Sequence, residues 1–423
     1  MYNSVDVVTP ENIKVSGNRI NHINPEVGLL EFGKDQYGNK KTHLVPKLAM
    51  NMFTPYRRPK GPNIKFFFIY HTSHKEAVKS FYNNLKFGDT DDCRGWLVGE
   101  EHKGLNQMFL MMNGARIAVG RGAAAIAMAA YRTSLQYANE RPQGRKLTSN
   151  GKKNPTEKQS LIIEHPDVRR MLLLQKSIAE GSLSLVFLAS KYQDIITTAT
   201  SEEEKEKYNL LLEMIIPIVK TFPSEAGAES VDNGLQVLGG YGFCTDFGLQ
   251  QYYRDIRISS LYEGTTGIQS QDLLGRKVTM QNGKGLALLV TEIMHTIEAA
   301  AKEDDLKEYA AVLGEKLKLS EKVLAHLMPF AMKGNYERYL ADANLFMEYM
   351  SIVVIGWLWL EMAVDAKKEV ANSDRKYSQD FYESKIHTMK FYFKYEVPKT
   401  VSLALSLMDD GVLTIKQDKE YIL

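Results

Sequence analysis

The chain has 423 residues, enough to bury a large core and to divide into two or three domains. Hydrophobic residues make up 44% and charged residues 25%, with a formal net charge of +2, so there is no long-range field to recruit nucleic acid or an anionic membrane. The only cysteines, Cys93 and Cys244, lie far apart without CxxC spacing, which predicts reduced thiols and a cytoplasmic setting.

The first residues are polar and carry no apolar signal core. Residues 1–100 are rich in Pro, Gly, Asn, Lys and aromatics, with short β-like pieces at 13–15 and 65–70 and no sustained helical period. His71 and His74 are spaced as HxxH, but no third ligand accompanies them, so no metal site is expected.

From Gly104 the pattern becomes helical. Leu105, Met108, Met112, Ala115, Val119, Gly122, Ile126 and Ala129 recur at three- and four-residue steps and predict one apolar face. Residues 146–160 read as a loop, and His165-Pro166-Asp167 opens a second helix with proline in its first turn. Ser201 and Glu204 form a capping box for a third helix running toward Val219. Pro223 and Ser224 start a fourth, ending at Gly239-Gly240, and the set predicts a four-helix bundle.

Beyond Gly285, helical segments at 286–302, 305–332, 335–369 and 377–408 predict a second helical domain. The most apolar run, 350–360, is shorter than the roughly 20 residues a membrane crossing needs and reads as a buried helix. The expected division is 1–100, 101–280 and 281–423.

One segment carries more chemistry than the rest. In Tyr262-Glu263-Gly264-Thr265-Thr266 a carboxylate directly precedes a step that can open a helix. Held there, Glu263 is either a desolvated base or an exposed loop acid favourable to the helix dipole. Thr265 sits at that helix start, a natural anion site, and Gly239-Gly240 suits a glycine C-cap. Arg116 suits a buried ion pair, and Arg141 a solvated basic loop.

Several spaced strings share an order with a known family. They are Gly104-Leu105-Asn106-Gln107, Asn113-Gly114-Ala115-Arg116, Asn139-Glu140-Arg141-Pro142, Glu164-His165-Pro166-Asp167, Gln236-Val237-Leu238-Gly239-Gly240 and Tyr262-Glu263-Gly264-Thr265. Over residues 95–280 they resemble the acyl-CoA dehydrogenases, and the appended helices resemble the longer bacterial members, including the 3-methylmercaptopropionyl-CoA dehydrogenase group. The resemblance implies a mainly α fold: the family's C-terminal four-helix bundle, a second helical domain, and a preceding remnant of a β domain.

It further implies FAD-dependent α,β-dehydrogenation of an acyl-CoA thioester in fatty acid β-oxidation, with Glu263 as the base for the α-proton. Arg141, Gln236, Gly239, Gly240 and Thr265 fall on flavin-contacting positions, some reaching a neighbouring subunit, so a homo-oligomer is implied. Arg116 and Gly264 fall on the acyl-CoA path, and electron-transferring flavoprotein is the implied redox partner.

The chain departs from the pattern at Gly267, where many relatives carry glutamine, and at Gly144, where many carry an aromatic. The family's helical front domain and its Thr-Glu-Pro and Gly-Ser-Asp flavin segment have no counterpart. Residues 15–20 and 43–47 resemble scraps of its β domain, and 53–84 match nothing in it. Weak flavin binding is therefore expected. Two other readings stay open: a non-catalytic oligomerisation or acyl-CoA-binding module, and an acyl-CoA oxidase.

Overall fold

The computed structural model describes residues 104–415, together with the backbone of short strands between Asp6 and Lys86. The chain divides into two compact units, 1–112 and 113–423.

In the first unit the strands are β1 (Asp6–Val8), β2 (Lys14–Val15), β3 (Asn18–Asn24), β4 (Leu29–Lys34), β5 (Lys40–Leu44), β6 (Phe66–Phe68) and β7 (Leu85–Lys86). Five of them form an antiparallel sheet in the order β5-β4-β3-β2-β7, and β1 pairs with β6. The β-like pieces expected at 13–15 and 65–70 coincide with β2 and β6. His71, His74, Cys93 and residues 95–99 lie outside the described residues.

Three long helices organise the second unit: α1 (Gly104–Glu140), α2 (Pro166–Thr198) and α3 (Glu202–Leu238). Pro166 takes the first position of α2, where its missing N–H costs nothing. The Ser201 side chain caps α3 by accepting from the Glu204 N–H at 3.2 Å.

Two expectations for these long helices need correction. The third and fourth predicted helices are one: α3 runs unbroken through Pro217 and Pro223. Each proline deletes one intrahelical hydrogen bond, but the middle of α3 is buried almost all round, and packing holds the axis together. Pro223 leaves the Val219 carbonyl without its partner four residues on. That carbonyl faces Gly120 of α1, where a Cβ would lie 2.1 Å from the oxygen. Only glycine permits so close a crossing.

The face of α1 is also rotated from the expected one. Arg116, Val119, Gly120, Ala123, Ala127, Ala130 and Ser134 are buried, whereas Gly122 is exposed and Ala115 and Ala129 half-buried. In so alanine-rich a helix the apolar pattern cannot fix the face, and two buried positions are polar.

Short elements follow: α4 (Gly240–Phe243), α5 (Leu249–Arg257), a 3-10 turn at Ile258–Ser260, and α6 (Thr266–Asp272) running into a π turn at Leu273–Lys277. Then come α7 (Lys284–Ala300), α8 (Lys307–Met332), α9 (Tyr336–Leu340), α10 (Ala343–Ala371), α11 (Gln379–Tyr395) and α12 (Lys399–Leu407). The predicted 335–369 segment is thus split between α9 and α10, and 377–408 breaks at Pro398.

The 350–360 run forms the buried middle of α10, where Trp359 donates to the Ser177 carbonyl of α2 at 3.1 Å. Both α2 and α10 are long and apolar enough to cross a membrane, and 61% and 78% of their apolar windows are buried in this core.

Candidate active site

The segment between α5 and α6 is pinned at both ends by one side chain of α3. Glu225 accepts from the Thr266 hydroxyl after the segment and pairs with Arg257 at 3.4 Å before it. Arg257 also bonds Ser260. At the far end Thr265 caps α6, its hydroxyl accepting from the Ile268 N–H at 3.3 Å.

Within this frame Glu263 and Gly264 turn the chain through the left-handed region, at φ +56° and +90°. A glutamate at positive φ is uncommon, costs about 1–3 kcal/mol and persists only where its surroundings over-determine it. Here they do. The buried Gln269 side chain donates its amide to the Glu263 carbonyl at 3.1 Å, and a Cβ on Gly264 would lie 2.6 Å from that amide nitrogen. The turn presents the Glu263 backbone N–H without a hydrogen-bond acceptor among the described residues.

The Glu263 carboxyl is half-buried. Burial raises its pKa above the ordinary carboxylate value, and the positive charges of Arg116 and Lys220 oppose part of that rise. Arg116 is only 3% exposed and forms an ion pair with Asp272 of α6 at 3.1 Å. It is thus both the buried ion pair foreseen for it and a charge acting on Glu263. Lys220 is fully buried, and burial pulls its pKa down to about 8.

A second cluster lies where α1 and α3 end. Gly239 caps α3 at φ 60°, ψ −138°, a conformation reserved for glycine. The Arg141 guanidinium lies 5.6 Å over the ring of Tyr241, which packs edge-on to Tyr137 and tilted against Phe247. Gln236, Gly239 and Gly240 are exposed, nothing lies within 4 Å of a Cβ at either glycine, and Arg141 Nε is buried without a partner. An orphaned cationic donor beside open glycine backbone fits a phosphate-bearing group.

The predicted residues therefore fall into two groups: Glu263, Gly264, Thr265 and Arg116, and Arg141, Gln236, Gly239 and Gly240. Sequence reasoning missed Lys220, Glu225, Gln269 and Asp272. Lys220, Glu225 and Asp272 stand in no motif and matter through partners distant in sequence, whereas Gln269 acts locally, on the Glu263 carbonyl six residues before it. A cleft of about 830 Å³ lined by Arg169, Tyr309, Phe391 and Lys394 lies elsewhere and includes none of the residues around Glu263. Among the described residues no cluster of three His, Cys, Asp or Glu side chains is placed to hold a metal.

Comparison with known proteins bears on both clusters. The family described as "Acyl-CoA dehydrogenase, C-terminal domain" matches residues 152–277, and "Acetyl-CoA dehydrogenase C-terminal like" matches 289–416. The chain is 32% identical over 361 residues to the broad-specificity linear acyl-CoA dehydrogenase FadE5 of Mycobacterium tuberculosis, covering 83% of this chain and 59% of that protein. The chain belongs to the acyl-CoA dehydrogenase family.

It is also 34% identical over 309 residues to 3-methylmercaptopropionyl-CoA dehydrogenase of Ruegeria pomeroyi, covering 71% of this chain and 50% of that one. An acyl-CoA dehydrogenase of Bacillus anthracis, solved with FAD, shares the fold with a TM-score of 0.59 at 17% identity, covering 92% of this chain and 58% of that one. The chain therefore spans between half and three fifths of the length of these relatives. The acyl-CoA dehydrogenase match at 152–277 contains Gly239-Gly240, Glu263 and Thr265; Arg116 and Arg141 precede it.

Proposed function

We propose that this acyl-CoA dehydrogenase chain takes part in α,β-dehydrogenation of an acyl-CoA thioester to the trans-2-enoyl-CoA, with Glu263 as the base. The observation that carries the reading is the half-buried Glu263 carboxyl on its clamped left-handed turn, its pKa raised by burial. A base matched to a weakly acidic C–H must be less acidic than a solvated carboxylate, and burial has that effect.

FAD is the proposed cofactor, and when bound it supplies an acceptor for the β-hydride. Arg141, Gln236, Gly239, Gly240 and Thr265 would hold it, through guanidinium, open glycine backbone and a helix start. Contacts shared between subunits make a homo-oligomer part of the proposal, and electron-transferring flavoprotein its onward electron acceptor.

The chain's own residues do the rest. A Glu263 carboxylate oxygen takes the α-proton. Its unbonded backbone N–H is free to donate to the thioester carbonyl as negative charge builds there. Arg116, fixed by Asp272, keeps a positive charge near that carbonyl's path.

The test is spectroscopic: the purified chain, reconstituted with FAD, is mixed with an acyl-CoA while the flavin bands are followed. Bleaching is expected, and Glu263→Gln should abolish it while flavin stays bound. A variant that bleaches at the parent rate removes the assigned base. A colourless chain that FAD cannot reconstitute favours a binding module, and hydrogen peroxide release favours an oxidase.

A further inference from the structure

Lys220 sits in the middle of α3 with 0% exposure, and its ammonium nitrogen makes no hydrogen bond. A buried, unpaired ammonium opposes folding, so such a group marks a function more often than a packing role. The charged groups facing it are Glu225 from its own helix, Arg116 from α1 and Glu263 from the segment before α6.

Each of these except Glu263 is already engaged. Arg116 is matched by Asp272, and Glu225 takes Thr266 and Arg257. The Glu263 carboxylate has no hydrogen bond or ion pair among the described residues. Within this cluster the two unpaired charges are therefore Lys220 and Glu263, one of each sign.

We propose that Lys220 is a positioning residue for Glu263: a sealed cation on α3 that keeps the facing carboxylate ionised and turned inward. The inference rests on the reading of Glu263 as the base. Burial drives a proton onto Glu263 while Arg116 and Lys220 oppose it, so Lys220 shares with Arg116 in setting the fraction of base ready at a given pH. As the α-proton moves onto Glu263, the substrate takes on the negative charge that the carboxylate gives up. Lys220 then faces an anion before and after the transfer.

Two measurements test this. In the FAD-loaded full chain, Lys220→Met should move the acid limb of the bleaching rate up by about one pH unit, since removing one nearby cation eases protonation of Glu263. Lys220→Arg should restore it. A role confined to packing would lower stability and leave the limb where it was. The second readout needs no flavin: in the full chain labelled with 13C-lysine, the Lys220 resonance, assigned by its loss in Lys220→Arg, should titrate at lower pH in Glu263→Gln than in the parent.

An unmoved acid limb in folded Lys220→Met, or a Lys220 titration indifferent to Glu263→Gln, overturns the proposal. If Lys220→Met fails to fold, the titration pair decides alone. Should Glu263→Gln bleach at the parent rate while the titrations stay coupled, the base assignment fails and the electrostatic pair stands.

Discussion

Gly264→Ala tests the turn that aims the candidate base. At φ +90° an alanine costs about 1–2 kcal/mol of backbone strain relative to glycine. Its Cβ would also lie 2.6 Å from the amide nitrogen of Gln269. That side chain is fully buried and has no solvent to swing into, so the amide must leave the Glu263 carbonyl it bonds at 3.1 Å. Losing that bond and orphaning its partners costs about 1–2 kcal/mol more. The expected loss is about 2–4 kcal/mol, read as a lower urea midpoint of the full chain, and flavin bleaching by an acyl-CoA should slow because Glu263 shifts with the turn. A variant within about 0.5 kcal/mol of the parent would refute the claim that Gln269 over-determines this turn.

Gly120→Ala should destabilise by about 3 kcal/mol, because its Cβ meets a backbone carbonyl at 2.1 Å, whereas Gly122→Ala, with nothing within 4 Å, should stabilise by about 0.5–1 kcal/mol; urea midpoints separate the two. Asp272→Asn should cost about 3–5 kcal/mol by stranding the buried Arg116 charge, visible as a lowered melting temperature. The folded pKa of Lys220 lies near 8, below its ordinary 10.5, so between those values the unfolded chain binds more protons and stability contributed by this group rises with pH. From pH 8 to 9.5 the parent should gain about 2 kcal/mol relative to Lys220→Met, measured by urea unfolding across that range.

Much of the helical half was legible because its starts are local chemistry. Ser201 and Thr265 announce α3 and α6 because their hydroxyls accept from free N–H groups within one turn, and Pro166 announces α2 because it lacks the N–H that would be free there. Glu263 was legible through its neighbours Tyr262, Gly264 and Thr265. What escaped was decided at long range. Pro223 reads as the start of a new helix, yet burial on all sides keeps α3 whole through it. The face of α1 escaped because Arg116 and Ser134 are buried among alanines, against the apolar pattern. Nothing local marks Lys220 or Glu225; their roles come from Glu263, Thr266 and Arg257, more than 30 positions away.

These long-range features are linked. The carbonyl that Pro223 frees belongs to Val219, and it allows α1 to close on α3 at Gly120. Arg116 lies one turn before Gly120 on the same face of α1, and Lys220 is next to Val219 on α3. The close crossing therefore brings Arg116 toward Glu263, whose segment Glu225 already holds against α3, the helix that carries Lys220. Gly120 thereby bears on the electrostatics of the candidate base through Arg116. It follows that Gly120→Ala, by forcing the crossing apart, should raise the pH at which Glu263 becomes an effective base as well as weaken the fold, while Gly122→Ala should leave that pH unchanged.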